Sequence, residues 1–347
     1  MVVGQPKQRQ IAFRQRQKQA LYELIKECHK NKNWPIAWMC KQVNVARSAY
    51  YKWIDHKPSK REKRDQKILE RIKAIAESNN SLFGSPKMTL ALNNELEEGE
   101  KKIYRRTVAR LMCVNCIYTN KPRFNKRYRY RASRPSRPEE TAANVFHRDF
   151  NASKPNEKWC TDITEEKIPK TNQKIYLCTI LDLYDRFPVG YALSKHNDTA
   201  LVNKALAAAW DKEPNSHAML HSDRGFQFTR APFTNDLRQH GMSQSMSRVG
   251  RCIDNGPMEG WQGLIKEMRM VLYPDASSYE EMKQAFDKTI NYYINYDPQE
   301  RFNGKTASQV REEAKRNPDN IIEYRIKQDK RYKDFWRKIK EKKNQSA

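Results

Sequence analysis

No run in the 347 residues approaches the length and apolarity of a membrane-spanning helix, and the polar opening MVVGQPKQRQ lacks the apolar stretch of a signal peptide. A helical membrane protein is thereby excluded, and no membrane partner is expected. Cysteine is sparse and odd in number, seven in all, and Cys40, Cys160, Cys178 and Cys252 sit inside apolar patterns. That usage excludes a disulfide framework and fits a reducing cytoplasm. Cys113 and Cys116 have zinc-like or redox-like spacing, but no second pair or His-rich segment follows, so helix-face packing is their expected role. Internal repeats are absent as well.

Acidic residues are the other deficit. The chain has 67 Lys and Arg against 41 Asp and Glu, a formal charge of +26. The imbalance is local: residues 1–150 carry 34 basic and 14 acidic residues (+20), 151–300 carry 18 and 20 (−2), and 301–347 carry 15 and 7 (+8). A single charged run is usually a solvated face, whereas an excess across a whole half points to a polyanion, with nucleic acid the expected partner. The neutral centre is then free to do something else.

The spacing of apolar residues predicts helices over about 10–56, with Leu21, Leu24, Ile25 and Cys28 on one face of the first. After Asn33-Trp34-Pro35, two short helices flank a tight connection at Val43-Asn44-Val45. The second would carry Arg47, Ser48, Tyr50, Tyr51 and Lys52, which suits a helix-turn-helix offering polar and basic side chains to a DNA groove; a plain helical hairpin is the alternative. A second helical module follows the basic connector HKPSKREKRDQK, with Ser85-Pro86 starting one helix and Arg105, Arg106 and Arg110 near one face of the next. Residues 121–138 are dense in basic side chains, among them Lys121, Arg123, Lys126, Arg127, Arg129 and Arg131, interleaved with Phe124, Tyr128 and Tyr130 and free of acids. Such a segment either solubilises a linker or tracks a DNA backbone, and the aromatics favour the second reading.

From about 156 the period changes to that of strands: three in succession, then helix–strand–helix–strand–helix, which predicts an α/β domain with a mixed five-stranded sheet flanked by helices. The expected organisation is a helix-turn-helix region over 1–60, a second helical module over 61–120, a basic aromatic linker over 121–155, a catalytic domain over 156–300, and a basic helical tail over 301–347.

Two acids of the α/β part stand at or near strand ends, Asp162 in WCTD and Asp223 in HSDRG, and a third, Glu259, is expected at the third position of a helix that Pro257 begins, with Asn255-Gly256 as its cap region. Each has an ordinary reading, strand-end polar residue or helix cap. Together they are three carboxylates from separate elements, which would raise one another's pKa unless a hard cation such as Mg²⁺ or Mn²⁺ neutralised them. On a helical wheel Lys266 falls within about 20° of Glu259, while Trp261, Leu264, Ile265 and Met268 gather on the opposite face.

The segments EKWCTDIT, LDLYDRFPVGY, LHSDRGFQFT and DNGPMEGWQGLIKEM resemble, in order and spacing, the transposases of the insertion-sequence-three family. Thirty-five residues separate Asp223 from Glu259, as in that group's acidic triad, and Lys266 stands seven beyond the glutamate where the family has a basic residue. The stretch ARSAYYKW, the helix RTVARLM and YYINYDPQERFNGKTASQ extend the likeness over roughly 35–310. The resemblance implies a ribonuclease H-like domain related to retroviral integrases, with Asp162, Asp223 and Glu259 as catalytic residues holding two Mg²⁺ or Mn²⁺ ions. It also implies double-stranded DNA as substrate, both element terminal repeats and target, with nicking, strand transfer through a circular intermediate, and integration. Lys266 and the basic residues named above would bind that DNA in a dimer or higher oligomer in the bacterial cytoplasm, at the nucleoid. An upstream-frame partner polypeptide is a further expectation. Two other classes stay open at this point, a binding protein without catalysis and a nuclease that only hydrolyses.

Overall fold

The computed structural model describes residues 5–121, 142–146, 149–248 and 252–325. The chain divides into two compact units, Met1–Asn120 and Lys121–Ala347. The edges expected at 60/61 and 300/301 lie inside these units.

The first unit is helical: α1 (Gln5–Lys32), α2 (Ile36–Gln42), α3 (Arg47–Ile54), α4 (Lys60–Ser78), α5 (Ser85–Asn94) and α6 (Arg105–Val114). The first three helices close around Ile25, Met39, Cys40 and Tyr50, with Tyr22 and Trp53 packed against them. Asn44 makes the tight connection between α2 and α3 with φ 52°, a left-handed conformation that Asn tolerates better than most residues. A capping box of Ser59 and Glu62 starts α4. The start of α5 differs from expectation. Gly84 occupies the N-cap without a side-chain bond, Ser85 is already helical, and Pro86 follows inside the first turn. Pro86 lacks an N–H, so one of the donors a cap would satisfy is absent. Only Cys113 of the cysteine pair lies on α6; Cys116 sits beyond its end at φ 55°, so the two do not share a helix face.

The second unit is built on a five-stranded sheet of order β3-β2-β1-β4-β5. Its strands are β1 (Lys158–Lys167), β2 (Lys174–Asp182), β3 (Pro188–Ser194), β4 (Met219–Ser222) and β5 (Ser243–Met246). The first three form an antiparallel meander, while β4 runs parallel to β1 and β5 parallel to β4. Helices α7 (Thr199–Lys212), α8 (Phe226–Thr229), α9 (Ala231–Gln239), α10 (Gly256–Leu272), α11 (Tyr279–Tyr296) and α12 (Ala307–Arg316) complete it. The expected mixed sheet and its helix order are thus present.

The alanine-rich α7 lies very close to β3. A Cβ on Gly190 would fall 2.3 Å from the Ala205 carbonyl and 2.6 Å from the Ala209 amide, so this contact requires glycine facing alanines. At the start of the sheet, Arg311 of α12 reaches Asp182 at 2.6 Å, Asp185 at 2.8 Å and Glu213 at 2.7 Å, all four side chains nearly or fully buried. Burial drives the Asp182 carboxyl above its usual range, reinforced by Asp185 and opposed by Arg311. Residues 307–316, expected in a basic helical tail apart from the catalytic domain, are therefore integral to the α/β unit. Residues 321–325 are non-helical, and Tyr324 is buried against Phe302 and Tyr184. The rest of the expected tail helix lies outside the described residues.

Candidate active site

The parallel ladder between β1 and β4 ends with Cys160 opposite His221. Two residues further along the chain from each stand Asp162, still within β1, and Asp223, one residue past the end of β4. Side chains repeat every second residue along a strand, and adjacent strands lie about 4.8 Å apart, so the two carboxylates sit side by side on one face. Asp162 Oδ1 accepts from the Ile163 amide at 2.8 Å. Asp223 lies just past the end of β4, where its Oδ1 accepts from the Gly225 amide at 2.9 Å. Any Cβ at Gly225 would come within 3.0 Å of that same oxygen.

The third acid arrives on α10, which is laced along β1 by three side chains. Asn255 Nδ2 donates to the Thr161 carbonyl at 3.0 Å, Lys266 Nζ to the Glu165 carbonyl at 2.7 Å, and Arg269 to the Glu166 carboxylate. Eleven helical residues rise about 16 Å while four strand residues advance about 13 Å, so helix and strand stay in step. Glu259, one turn beyond Asn255, is thereby brought toward Asp162 from the side. Met258, Trp261, Ile265 and Met268 bury the opposite face as the helical wheel requires, although Leu264 is only half-buried. Two expectations for this helix start are corrected. The helix begins at Gly256, which makes Pro257 the second residue and Glu259 the fourth, and the Asn255 side chain makes no cap. Its amide is spent on β1 instead.

Electrostatics tie the acids together. Burial raises the Asp162 pKa, and the charges of Asp223 and Glu259 add to the shift, while Ile163 and Lys266 oppose it. Burial also raises Asp223 and Glu259. Lys266 is pushed the other way by burial, against the pull of Glu166, Glu165 and Asp162. Among the described residues no three His, Cys, Asp or Glu side chains converge closely enough to form a ready metal cage. The two observations concern different distances, since Coulomb coupling extends over many ångströms and coordination needs about 2 Å. Exposed Glu259 is the member with freedom to close that gap. Three hard-oxygen donors, one deeply buried and destabilised by its neighbours' charge, fit Mg²⁺ or Mn²⁺ and suit no soft metal.

The remaining expected residues divide. Arg47, Ser48, Tyr51 and Lys52 are all exposed on α3, with Tyr50 turned into the core and the Arg47 guanidinium 6.0 Å from the Tyr51 ring. Arg105 and Arg106 are exposed on α6. Arg110 instead ion-pairs with Asp65 of α4 at 2.6 Å, and Lys121 lies 3.8 Å from Glu267. Arg123, Lys126, Arg127, Arg129 and Arg131 lie outside the described residues.

Sequence reading missed the polar surroundings of Asp223. His221 is fully buried, stacked on Phe146 with ring centroids 4.7 Å apart, and flanked by Ser245 Oγ at 2.9 Å and Ser247 Oγ at 3.2 Å. Burial pushes its pKa down to about 4. Asp254, also buried, holds Arg248 in a two-pronged pair at 2.8 and 2.9 Å. A histidine two residues before an acid in an apolar strand was the available signal.

Residues 152–252 match a family model described as integrase core domain, and residues 63–124 match one described as HTH-like domain. InsK, of insertion sequence element IS150 in Escherichia coli, is 33% identical over 264 residues, covering 75% of this chain and 87% of that one. The transposase for insertion sequence element IS904 in Lactococcus lactis is 29% identical over 246 residues, 70% of this chain and 91% of the other. The catalytic core domain of HTLV-2 integrase, solved in complex with magnesium, aligns with 45% of this chain and 96% of its own at 19% identity and TM-score 0.37. The integrase-core match contains Asp162 and Asp223 and stops before Glu259.

Proposed function

We propose, from the premise that this chain belongs to the insertion-sequence-three family of DDE transposases and is a polynucleotidyl transferase, that Asp162, Asp223 and Glu259 form its catalytic centre and that it nicks and joins the ends of its own element. The observation that carries the reading is the alignment of Asp162 and Asp223 two residues past the last β1–β4 pair, with α10 laced to β1 beside them. Bound there, two Mg²⁺ or Mn²⁺ ions would supply Lewis-acid stabilisation of the attacking and leaving oxygens of an in-line displacement.

The chain's own residues do the rest. Asp162, on β1, and Asp223, in the turn just past β4, would form one side of the site, and Glu259 would close it from α10. Lys266, beside Glu165 and Asp162, offers a positive charge to a reacting phosphate once DNA competes for its amine. In the first unit α3 would enter the major groove of a terminal inverted repeat with Arg47, Ser48, Tyr51 and Lys52. Arg105 and Arg106 would hold adjacent phosphates, and the basic run from Lys121 to Arg131 would follow the backbone. The pairs Arg110–Asp65 and Lys121–Glu267 would have to open before those cations could join.

In the first step water attacks the phosphodiester at the element's end and frees a 3′-hydroxyl. In the second that hydroxyl attacks another phosphodiester, displacing a 3′-oxygen and giving first a circle and later an integrated copy. Two ends must meet, so a dimer or larger assembly on DNA is expected, in the bacterial cytoplasm where the DNA lies.

The test is an incubation of the pure chain with labelled element ends and Mg²⁺, resolved on one gel that separates binding, nicking and joining. Asp223→Asn should abolish nicking and joining and leave binding of the terminal repeat within about twofold. Undiminished cleavage by that variant would refute the assignment, and joining absent from wild type with cleavage intact would reduce the function to hydrolysis.

A further inference from the structure

Asp223 stands where the sheet has already ended, since β4 stops at Ser222. Its carboxylate must nonetheless hold a fixed position against Asp162. Its local bond to the Gly225 amide shapes the turn but does not anchor that turn to the sheet.

The anchor is one residue. Ser247, directly after β5 and buried, engages three neighbours of Asp223 with three different groups. Its amide donates to the Ser222 carbonyl at 2.9 Å. Its carbonyl accepts from Arg224 Nε at 2.7 Å. Its hydroxyl meets His221 Nε2 at 3.2 Å. Residues 221, 222 and 224 are thus all fastened to Ser247, and only Asp223 is left to project.

The proton positions follow from the surroundings. Ser245 Oγ already accepts from the Val145 amide at 3.0 Å and the Phe146 amide at 3.3 Å. Its own proton is therefore available to His221 Nδ1, 2.9 Å away. His221 Nε2 lies within hydrogen-bond distance of the Ser247 hydroxyl, and the Asp254 backbone is a further partner of the ring. The ring, stacked on Phe146, joins β5 to the residue two before Asp223 on the same face of the sheet.

We propose that Ser247 is a positioning residue for Asp223, fixing that carboxylate for metal binding through His221, Ser222 and Arg224. The proposal rests on the reading of Asp223 as a metal-holding residue. Substitution of groups that orient a metal ligand commonly weakens metal affinity by about 10–100-fold.

The test measures Mn²⁺ dependence of end cleavage and, separately, Mn²⁺ binding to the full chain by electron paramagnetic resonance. Ser247→Ala should raise the Mn²⁺ concentration for half-maximal cleavage about tenfold and weaken Mn²⁺ binding in parallel, with terminal-repeat affinity unchanged. Ser247→Thr, which keeps the hydroxyl, should restore both. If Ser247→Ala, which removes only the hydroxyl contact with His221, fails to fold, Arg224→Ala decides, because it removes the separate bond to the Ser247 carbonyl from a partly exposed position; an unshifted Mn²⁺ dependence there would overturn the proposal. Wild-type Mn²⁺ binding in both Ser247→Ala and Arg224→Ala, whatever their thermal stability, would also overturn it. Asp223→Ala serves as the control. If it binds Mn²⁺ and cleaves normally, the catalytic reading itself fails; if it loses both while Ser247→Ala behaves as wild type, only the role of Ser247 falls.

Discussion

Removing a carboxylate from the centre of the site should make the metal-free protein more stable. Burial raises the Asp162 pKa, as do the charges of Asp223 and Glu259. The native state therefore binds the proton more tightly than the unfolded chain, whose aspartates titrate near 3.9. An acid whose pKa rises on folding costs nothing below the unfolded value, and its penalty grows as pH climbs toward the native value. At pH 7 that penalty has a ceiling of about 3 pK units, or about 4 kcal/mol. Asp162→Asn removes the charge and keeps the shape, but its amide needs partners that the carboxylate did not. A net gain of about 1–3 kcal/mol in chelator is expected after that cost. For a folding unit of this size such a gain corresponds to a rise in Tm of roughly 2–12 °C. Calorimetry of both proteins in EDTA from pH 4 to pH 8 measures it. The Tm gap should be widest at neutral pH and should shrink and reverse toward pH 4, where only the cost of the amide remains. Added Mg²⁺ or Mn²⁺ should raise the wild-type Tm and leave Asp162→Asn nearly unmoved. A variant less stable than wild type in EDTA at pH 7, or a gap that does not shrink toward pH 4, would refute the reasoning.

Asn255→Ala should cost about 1–3 kcal/mol by leaving the Thr161 carbonyl without its buried donor, and should lower kcat for end cleavage more than it alters DNA affinity; urea denaturation and single-turnover kinetics report the two. Gly190→Ala forces a methyl group to within 2.3 Å of the Ala205 carbonyl, and should cost at least about 3 kcal/mol. A urea midpoint equal to wild type would show that α7 can step away from β3 freely. Terminal-repeat binding should fall steeply with salt, and Arg47→Ala with Lys52→Ala should flatten the slope of log affinity against log salt by about 2 in a filter or anisotropy titration; an unchanged slope would place the phosphate contacts elsewhere. Arg110→Ala should destabilise the first unit by about 1 kcal/mol through loss of the Asp65 pair while leaving DNA affinity nearly constant, whereas a DNA-contacting arginine would do the reverse.

Much of the candidate site was legible before any coordinates, because its signals are local. Strand and helix periods around Asp162, Asp223 and Glu259 placed each acid near the end or start of an element, and the resemblance to the insertion-sequence-three family, with 35 residues between Asp223 and Glu259, made the three the candidates. The wheel put Glu259 opposite Trp261, Ile265 and Met268, and those three are buried. Charge density pointed to a basic half suited to a polyanion, but not to which cations are available. Arg105, Arg106 and Arg110 look alike in sequence, yet Arg110 alone has Asp65 within 2.6 Å, a partner 45 positions away.

The sequence by itself determined the order of elements, the basic front half and the neutral α/β unit, since each depends on residues within one or two turns or strands, and the family resemblance made the three acids candidates. Tertiary structure decided what depends on register between distant segments. The parallel pairing of Cys160 with His221 sets Asp162 beside Asp223, and no residue between them states that register. Asn255 reads as a cap until β1 is found beside it, and Arg311 reads as a tail cation until Asp182, Asp185 and Glu213 surround it. Ser247 is an unremarked serine in a polar strand until three neighbours of Asp223 converge on it. Hydrogen bonds and buried ion pairs act over about 3 Å, and only the folded sheet brings groups so far apart in the chain within that range.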